Sequence, residues 1–328
     1  MKHVRAPGRV NLIGDHTDYT GGLVFPMAID RYTTISYEHT GDSVHLTSDD
    51  ELGVVHVGLH DEFDKSMEPR WGRYVASVAS LIDAPQALRG NVTTTIPVGA
   101  GLSSSAALEI SCALAMGSTL APRDLALMTQ RAEQLATGVP TGIMDQLCIA
   151  SARNGHGTLI DCHTLDITHI PIPDEVDIVV QFIAHRTLEG SEYATRVAEC
   201  AAAESVIGPL RAADISDVEN ITDDIIRARA RHVVSENERV RQFTDALARG
   251  HYTAAGRLMV GSHQSLTRDY ATSTSQMDAA VDAAINTEGV FGARMTGGGF
   301  GGCIVALCTP ESSLPGWRVR PSGAAAHL

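Results

Sequence analysis

Five short stretches of this chain carry side chains that could do chemistry. PVGAGLSSSAA, residues 97 to 107, joins glycines that let backbone approach a ligand to hydroxyls that suit phosphate or a metal. A helix predicted to start right after it would present unpaired N–H groups, which favour negative charge. Gly99, Ala100, Gly101, Leu102, Ser103, Ser104 and Ser105 are therefore candidate phosphate-loop residues, against the plainer reading of a serine-capped loop. No Walker loop is present, because that loop needs a lysine and the chain has only Lys2 and Lys65. MTGGGFGG, residues 295 to 302, is a second glycine cluster, and Gly297 and Gly298 could complete a phosphate cradle or simply make a hairpin turn.

Carboxylates supply the rest. In GIMDQLCIA, Asp145 follows Gly142 at the opening of an apolar stretch, where it could face a cleft or cap a helix. Arg9 is its natural counter-charge if the fold brings the two together, and would also neutralise a transferring phosphoryl group. Glu133 is the best remaining carboxylate for magnesium, the alternative being a solvated surface residue. Asp15, His16 and Asp18 in NLIGDHTDYTGG suit sugar hydroxyls better than zinc, which would want a soft or second imidazole ligand nearby.

Patterns of polarity predict the elements that must hold these groups. NVTTTI, then the first glycine loop, then AALEISCALAM up to Gly117 reads as strand, loop, helix. The next helix is expected to be capped by Asp124, with Leu125, Met128, Ala132 and Leu135 on its apolar face, Glu133 off it, and a stop at Gly138 and Pro140. VDIVVQFIA reads as a buried strand opening a second domain, so domains are expected at 1–170 and 171–328. Helices follow over about Ile226 to Leu247 and Tyr252 to Leu266. GARMT, GGGFGG and CIVALC then read as strand, turn, strand, with WRVRPSG as a last edge strand; the class is α+β.

Composition sets limits on partners. The 328 residues are 44% hydrophobic, enough for two modest cores, and 25 Lys plus Arg against 39 Asp plus Glu leave a net charge of −14. That field repels nucleic acid and anionic membranes, so neither is an expected partner. Six scattered cysteines read as small buried hydrophobes. The start MKHVRAPGRV has no apolar signal stretch and no run of about 18 apolar residues occurs, so a cytoplasmic location is expected.

Taken in order, these stretches resemble the galactokinase branch of the GHMP kinase superfamily. GRVNLIGDHTDY is similar to its sugar-binding signature, PVGAGLSSSAA to its phosphate loop and MTGGGFGGC to its third motif; GIMDQ, GSEYATRVAEC and RARHVVSENERV fit the same branch. The resemblance implies an N-terminal domain like ribosomal protein S5 domain 2, a ferredoxin-like C-terminal domain and an active site between them. It implies ATP and Mg2+ as cofactors, and a monomer or weak homodimer. Arg9 and Asp145 would be the catalytic pair, and Asp15, His16, Asp18, Gly142 and Tyr193 would meet the sugar. Glu133 and one serine of the 103–105 run, Ser104 by preference, would hold the metal. The implied reaction moves the γ-phosphoryl of ATP to the anomeric hydroxyl of galactose, with a related aldose (L-arabinose, an N-acetylated or a uronic sugar) or a non-catalytic sugar sensor as alternatives. Two departures stand out. Asp15 occupies a position where the family commonly has Glu, and TPESSLPG is too short for the helix that usually precedes the final strand.

Overall fold

The structure, a computed structural model, describes residues 1–185 and 191–328. Lys2–Asn11 pairs antiparallel with Pro26–Glu38, which pairs with Leu88–Thr94; Ser43–Ser48 and Val55–Gly58 complete one side of a six-stranded sheet. Its other edge is Ala326–His327 from the far end of the chain. The helices Gly72–Leu81, Ser104–Ala115, Pro122–Thr137 and Met144–Ser151 pack together over it through alanine-rich faces around Ile110, Ala113, Ala132 and Leu147. Pro122 occupies the first turn, where its missing N–H is no loss, so the third of these helices begins before Asp124. Asp124 therefore lies inside the first turn and is not the cap.

A second sheet of four antiparallel strands runs in the order Val290–Thr296, Gly302–Cys308, Asp177–Ala184, Trp317–Val319. Gly302–Cys308 and the first half of Asp177–Ala184 are buried on both faces. Ile178, Val180, Cys303, Val305 and Leu307 join the larger core, while Val179, Ile304, Ala306 and Cys308 join a second one. Period-two alternation is thus invisible in VDIVV and CIVALC, because both faces must be apolar. Trp317–Val319 is the expected edge strand, and residues 309–316 form no helix, Pro310 and Pro315 interrupting them. The two helices expected near Ile226 to Leu247 and Tyr252 to Leu266 are Asp224–Ala248, capped by the Asp223 side chain, and Tyr252–Arg268. All six cysteines are buried and free. None of the helices among the described residues is long and apolar enough to cross a membrane.

One irregularity bears directly on the site. The register of Lys2–Asn11 against Pro26–Glu38 shifts between Pro7 and Arg9, and such a shift re-aims the next side chain. Arg9 follows it.

Candidate active site

Three segments distant in sequence converge on one carboxylate. Arg9, 4% exposed, donates from Nε to Asp145 Oδ1 (2.6 Å) and from Nη2 to Oδ2 (2.7 Å), a two-pronged geometry that fixes both planes. Its Nη1 donates to the Gly101 carbonyl at 2.8 Å, tying the pair to the serine loop. Burial works against the guanidinium charge, but Asp145 outweighs it and the Arg9 pKa is raised. Ser103 Oγ donates to Asp145 Oδ2 at 2.5 Å.

The serine loop is shaped by that contact. Ser103 is the N-cap of Ser104–Ala115 and sits at φ 61°, a left-handed conformation that costs a serine roughly 1–2 kcal/mol. Its hydroxyl is spent on Asp145, and no side chain caps the helix. The first N–H groups of the helix are thus left to the cleft, a ready anion site. Gly99, Gly101, Ser103, Ser104 and Ser105 line the cleft, whereas the side chains of Ala100 and Leu102 are buried in the core. Leu102 instead accepts the Arg9 backbone N–H at 3.1 Å, so these two residues shape the loop.

Glu133 is 8% exposed and is no solvated surface residue. Its Oε1 accepts Ser105 Oγ at 2.8 Å and its Oε2 accepts Gln146 Nε2 at 2.6 Å. The serine beside Glu133 is therefore Ser105 and not Ser104, because two successive residues at a helix start point about 100° apart. Burial and then Asp145 push the Glu133 pKa up, with both hydrogen bonds pulling against them. Glu109 lies fully buried nearby, pushed well above the carboxylate range by burial and by Glu133. Of these groups, Ser105 Oγ and the Glu133 carboxylate line the cleft, hard oxygen donors of the kind a magnesium ion takes alongside phosphate oxygens and water.

The sugar signature forms the opposite wall. Asp18 is held against Gly142 so closely that a Cβ there would lie 1.8 Å from Asp18 Oδ2, which is why residue 142 has no side chain. Burial and then Asp145 raise the Asp18 pKa to about 7, although the backbone N–H groups of Tyr19 and Met144 oppose the shift. His16 is buried with Nδ1 3.0 Å from Tyr19 Oη, and its ring lies 5.6 Å from that of Tyr193 and 4.8 Å from that of Tyr270. Asp15 lines the cleft but is 1% exposed: Oδ1 accepts the Gly297 N–H at 3.0 Å and Oδ2 pairs with Arg294 Nη1 at 2.5 Å. Burial raises its pKa against the opposing pull of Arg294. The Gly297 N–H is consequently engaged by Asp15, while Gly297 and Gly298 both line the cleft. Neither lysine lines it.

The cleft holds about 320 Å³ and continues past the serine loop into an apolar arm of Trp71, Tyr74, Val92, Val98 and Leu108. Sequence reasoning passed over this arm and over Gln146, Glu109 and Arg294. WGRY, one of two tryptophan sites in the chain, was the available signal for the arm.

A cleft between two α+β domains, floored by a serine-rich helix start and closed by a glycine turn, is the arrangement of the GHMP kinases. Residues 73–153 match the model of the GHMP kinases N-terminal domain and residues 243–315 that of the GHMP kinases C-terminal domain. The chain belongs to this superfamily, and within it to the galactokinase branch: residues 2–39 match the galactokinase galactose-binding signature. It is 41% identical to a galactokinase of Chloroflexus aggregans over 94% of this chain and 84% of the relative. Human galactokinase is 39% identical over 93% of this chain and 83% of its own. A Lactococcus lactis galactokinase complexed with galactose superposes with a TM-score of 0.90 at 27% identity, covering 100% of this chain and 95% of that one. Methanococcus jannaschii mevalonate kinase shares the fold at a TM-score of 0.66 and 20% identity, covering 98% of each chain. The chain is thus a GHMP-family phosphotransferase of the sugar-kinase kind.

Proposed function

We propose that this enzyme transfers the γ-phosphoryl group of ATP to the anomeric hydroxyl of galactose, giving galactose 1-phosphate and ADP. The observation that carries this reading is the meeting of Arg9, Ser103 and Asp145 between the uncapped start of Ser104–Ala115 and the wall of Asp18, His16 and Tyr193.

The apolar arm of Trp71, Tyr74, Val92, Val98 and Leu108 accepts the base, which places the phosphates at the helix N–H groups of the serine loop. Glu133 and Ser105 are the residues that would hold Mg2+, which would neutralise phosphate charge when bound. Asp18, backed by Gly142, takes sugar hydroxyls, and Tyr193 with His16 bounds the ring. Asp145 already accepts three donors, so its remaining lone pair accepts and aims the anomeric O–H. The hydroxyl oxygen forms the new bond to phosphorus as the bridging P–O bond to ADP breaks, and the hydroxyl proton departs along its hydrogen bond to Asp145 and on to solvent. Arg9 lies against the transferring group, in a reaction where position and charge do most of the work.

Steady-state ADP formation tests this across galactose, 2-deoxygalactose, galactosamine, talose, L-arabinose, glucose and galacturonate. Galactose is expected to give the highest kcat/KM. A clear preference for L-arabinose or galacturonate would move the assignment to that sugar, and nucleotide binding without turnover of any aldose would favour a sensor.

A further inference from the structure

The third glycine turn and the sugar loop are held together by a buried polar knot that the reaction above does not use. Arg294, on Val290–Thr296, is fully buried. Beyond its ion pair with Asp15, its Nε donates to Ser262 Oγ (3.1 Å) and its Nη1 to the Asn11 carbonyl (3.4 Å). Glu236 Oε1 accepts Ser262 Oγ (2.5 Å) and the Gly14 N–H (3.0 Å), while Arg239 Nε donates to its Oε2 (2.6 Å). His232 Nε2 donates to the Asp15 carbonyl at 3.1 Å. Residues 14 and 15 are thus gripped at backbone and side chain by the Asp224–Ala248 helix and by the Val290–Thr296 strand with its following turn. A buried carboxylate with one ion-pair partner and one N–H donor has little freedom to rotate, so whatever holds those two partners sets the face Asp15 shows the cleft.

We propose that Arg294 is a positioning residue for sugar recognition. Fixing Asp15 Oδ2 leaves Oδ1 on the Gly297 N–H, and the sugar loop and third glycine turn then keep one relative placement. The assignment rests on the sugar-kinase reading above, since it needs Asp15 to face a sugar. A purely structural Arg294 would weaken all ligands alike; a positioning one weakens sugar selectively.

Calorimetry with galactose, and separately with a non-hydrolysable ATP analogue, distinguishes the two on Arg294→Lys, Arg294→Met, Asp15→Asn and the Asp15→Asn/Arg294→Lys double variant. Lysine keeps the charge without the planar fork. Galactose affinity is expected to fall about tenfold in Arg294→Lys, with nucleotide affinity within about twofold, and the double variant is expected to lose no more than the worse single one, because both remove the same contact. If Arg294→Met fails to fold, the lysine and asparagine variants still complete the cycle. Equal loss of both ligands, additive effects in the cycle, or unchanged galactose affinity overturns the assignment while leaving the sugar-kinase reading intact. Wild-type protein that binds no galactose overturns both.

Discussion

Asp145 has three donors on its two oxygens, so replacing it changes the whole constellation. Asp145→Asn keeps the shape, puts an amide where Arg9 or Ser103 expects an acceptor, and removes the charge opposite a buried guanidinium. Turnover is expected to fall by about 10²–10⁴, the usual range for a group that positions or takes a proton, while nucleotide affinity measured by calorimetry stays within a few-fold. Normal turnover would remove Asp145 from the reaction. Asp18 gives a second test at this scale. With its pKa raised to about 7, Asp18 is expected to be partly neutral in the free protein at pH 7, and sugar hydroxyls donating to it favour the ionised form. Sugar binding at pH 7 should therefore release a fraction of a proton, read as a dependence of the calorimetric enthalpy on buffer ionisation, and almost none at pH 9. Equal enthalpies in phosphate and Tris at pH 7 would show that Asp18 does not titrate there.

Among the elements, the Ser104–Ala115 helix divides its opening serines by direction. Ser103 turns to Asp145 through a left-handed backbone, Ser105 turns to Glu133, and Ser104 lines the cleft between them. Ser105→Ala should raise the Mg2+ concentration for half-maximal activity by about tenfold, whereas Ser104→Ala should shift it by less than about threefold. The opposite ranking would return the metal role to Ser104. The sequence located this helix start, its glycines and the stop at Gly117, since apolar periodicity and punctuation are local properties. It did not separate the three serines, because their directions depend on one residue at φ 61° and on which carboxylate lies beyond each hydroxyl.

At the level of the whole molecule, the knot around Asp15 makes stability depend on pH. Burial depresses the His232 pKa from 6.5 to about 4, so between these values the unfolded chain binds a proton that the native one does not, and stability falls as pH drops. Burial pushes Glu236 up, but Arg239, His232, Arg294 and Ser262 bring it to about 2; its contribution is full above 4.5 and is lost as pH falls below that. Asp18 acts in the opposite sense, gaining stability as pH falls from 7 toward 3.8. His232→Gln should flatten the loss of Tm between pH 6.5 and 4 relative to wild type. An unchanged slope would mean that His232 is not the group responsible.

Arg9, Asp145, Glu133 and the two glycine clusters were legible because each sits in a stretch whose residue types are unusual for its predicted element, and the resemblance supplied their roles. The strand-turn-strand at the end of the chain and the missing helix over 309–316 followed from prolines and apolar runs. Arg294, Glu236 and His232 were not legible: a charge in a helix or strand ordinarily means a solvated face, and nothing local says that two domains will close over it. Residue type and spacing determined which groups exist and on what elements they begin. Only the tertiary structure decided that the Gly297 N–H serves Asp15, that Glu133 meets Ser105 and that Glu236 is buried, because each depends on which surface packs against it.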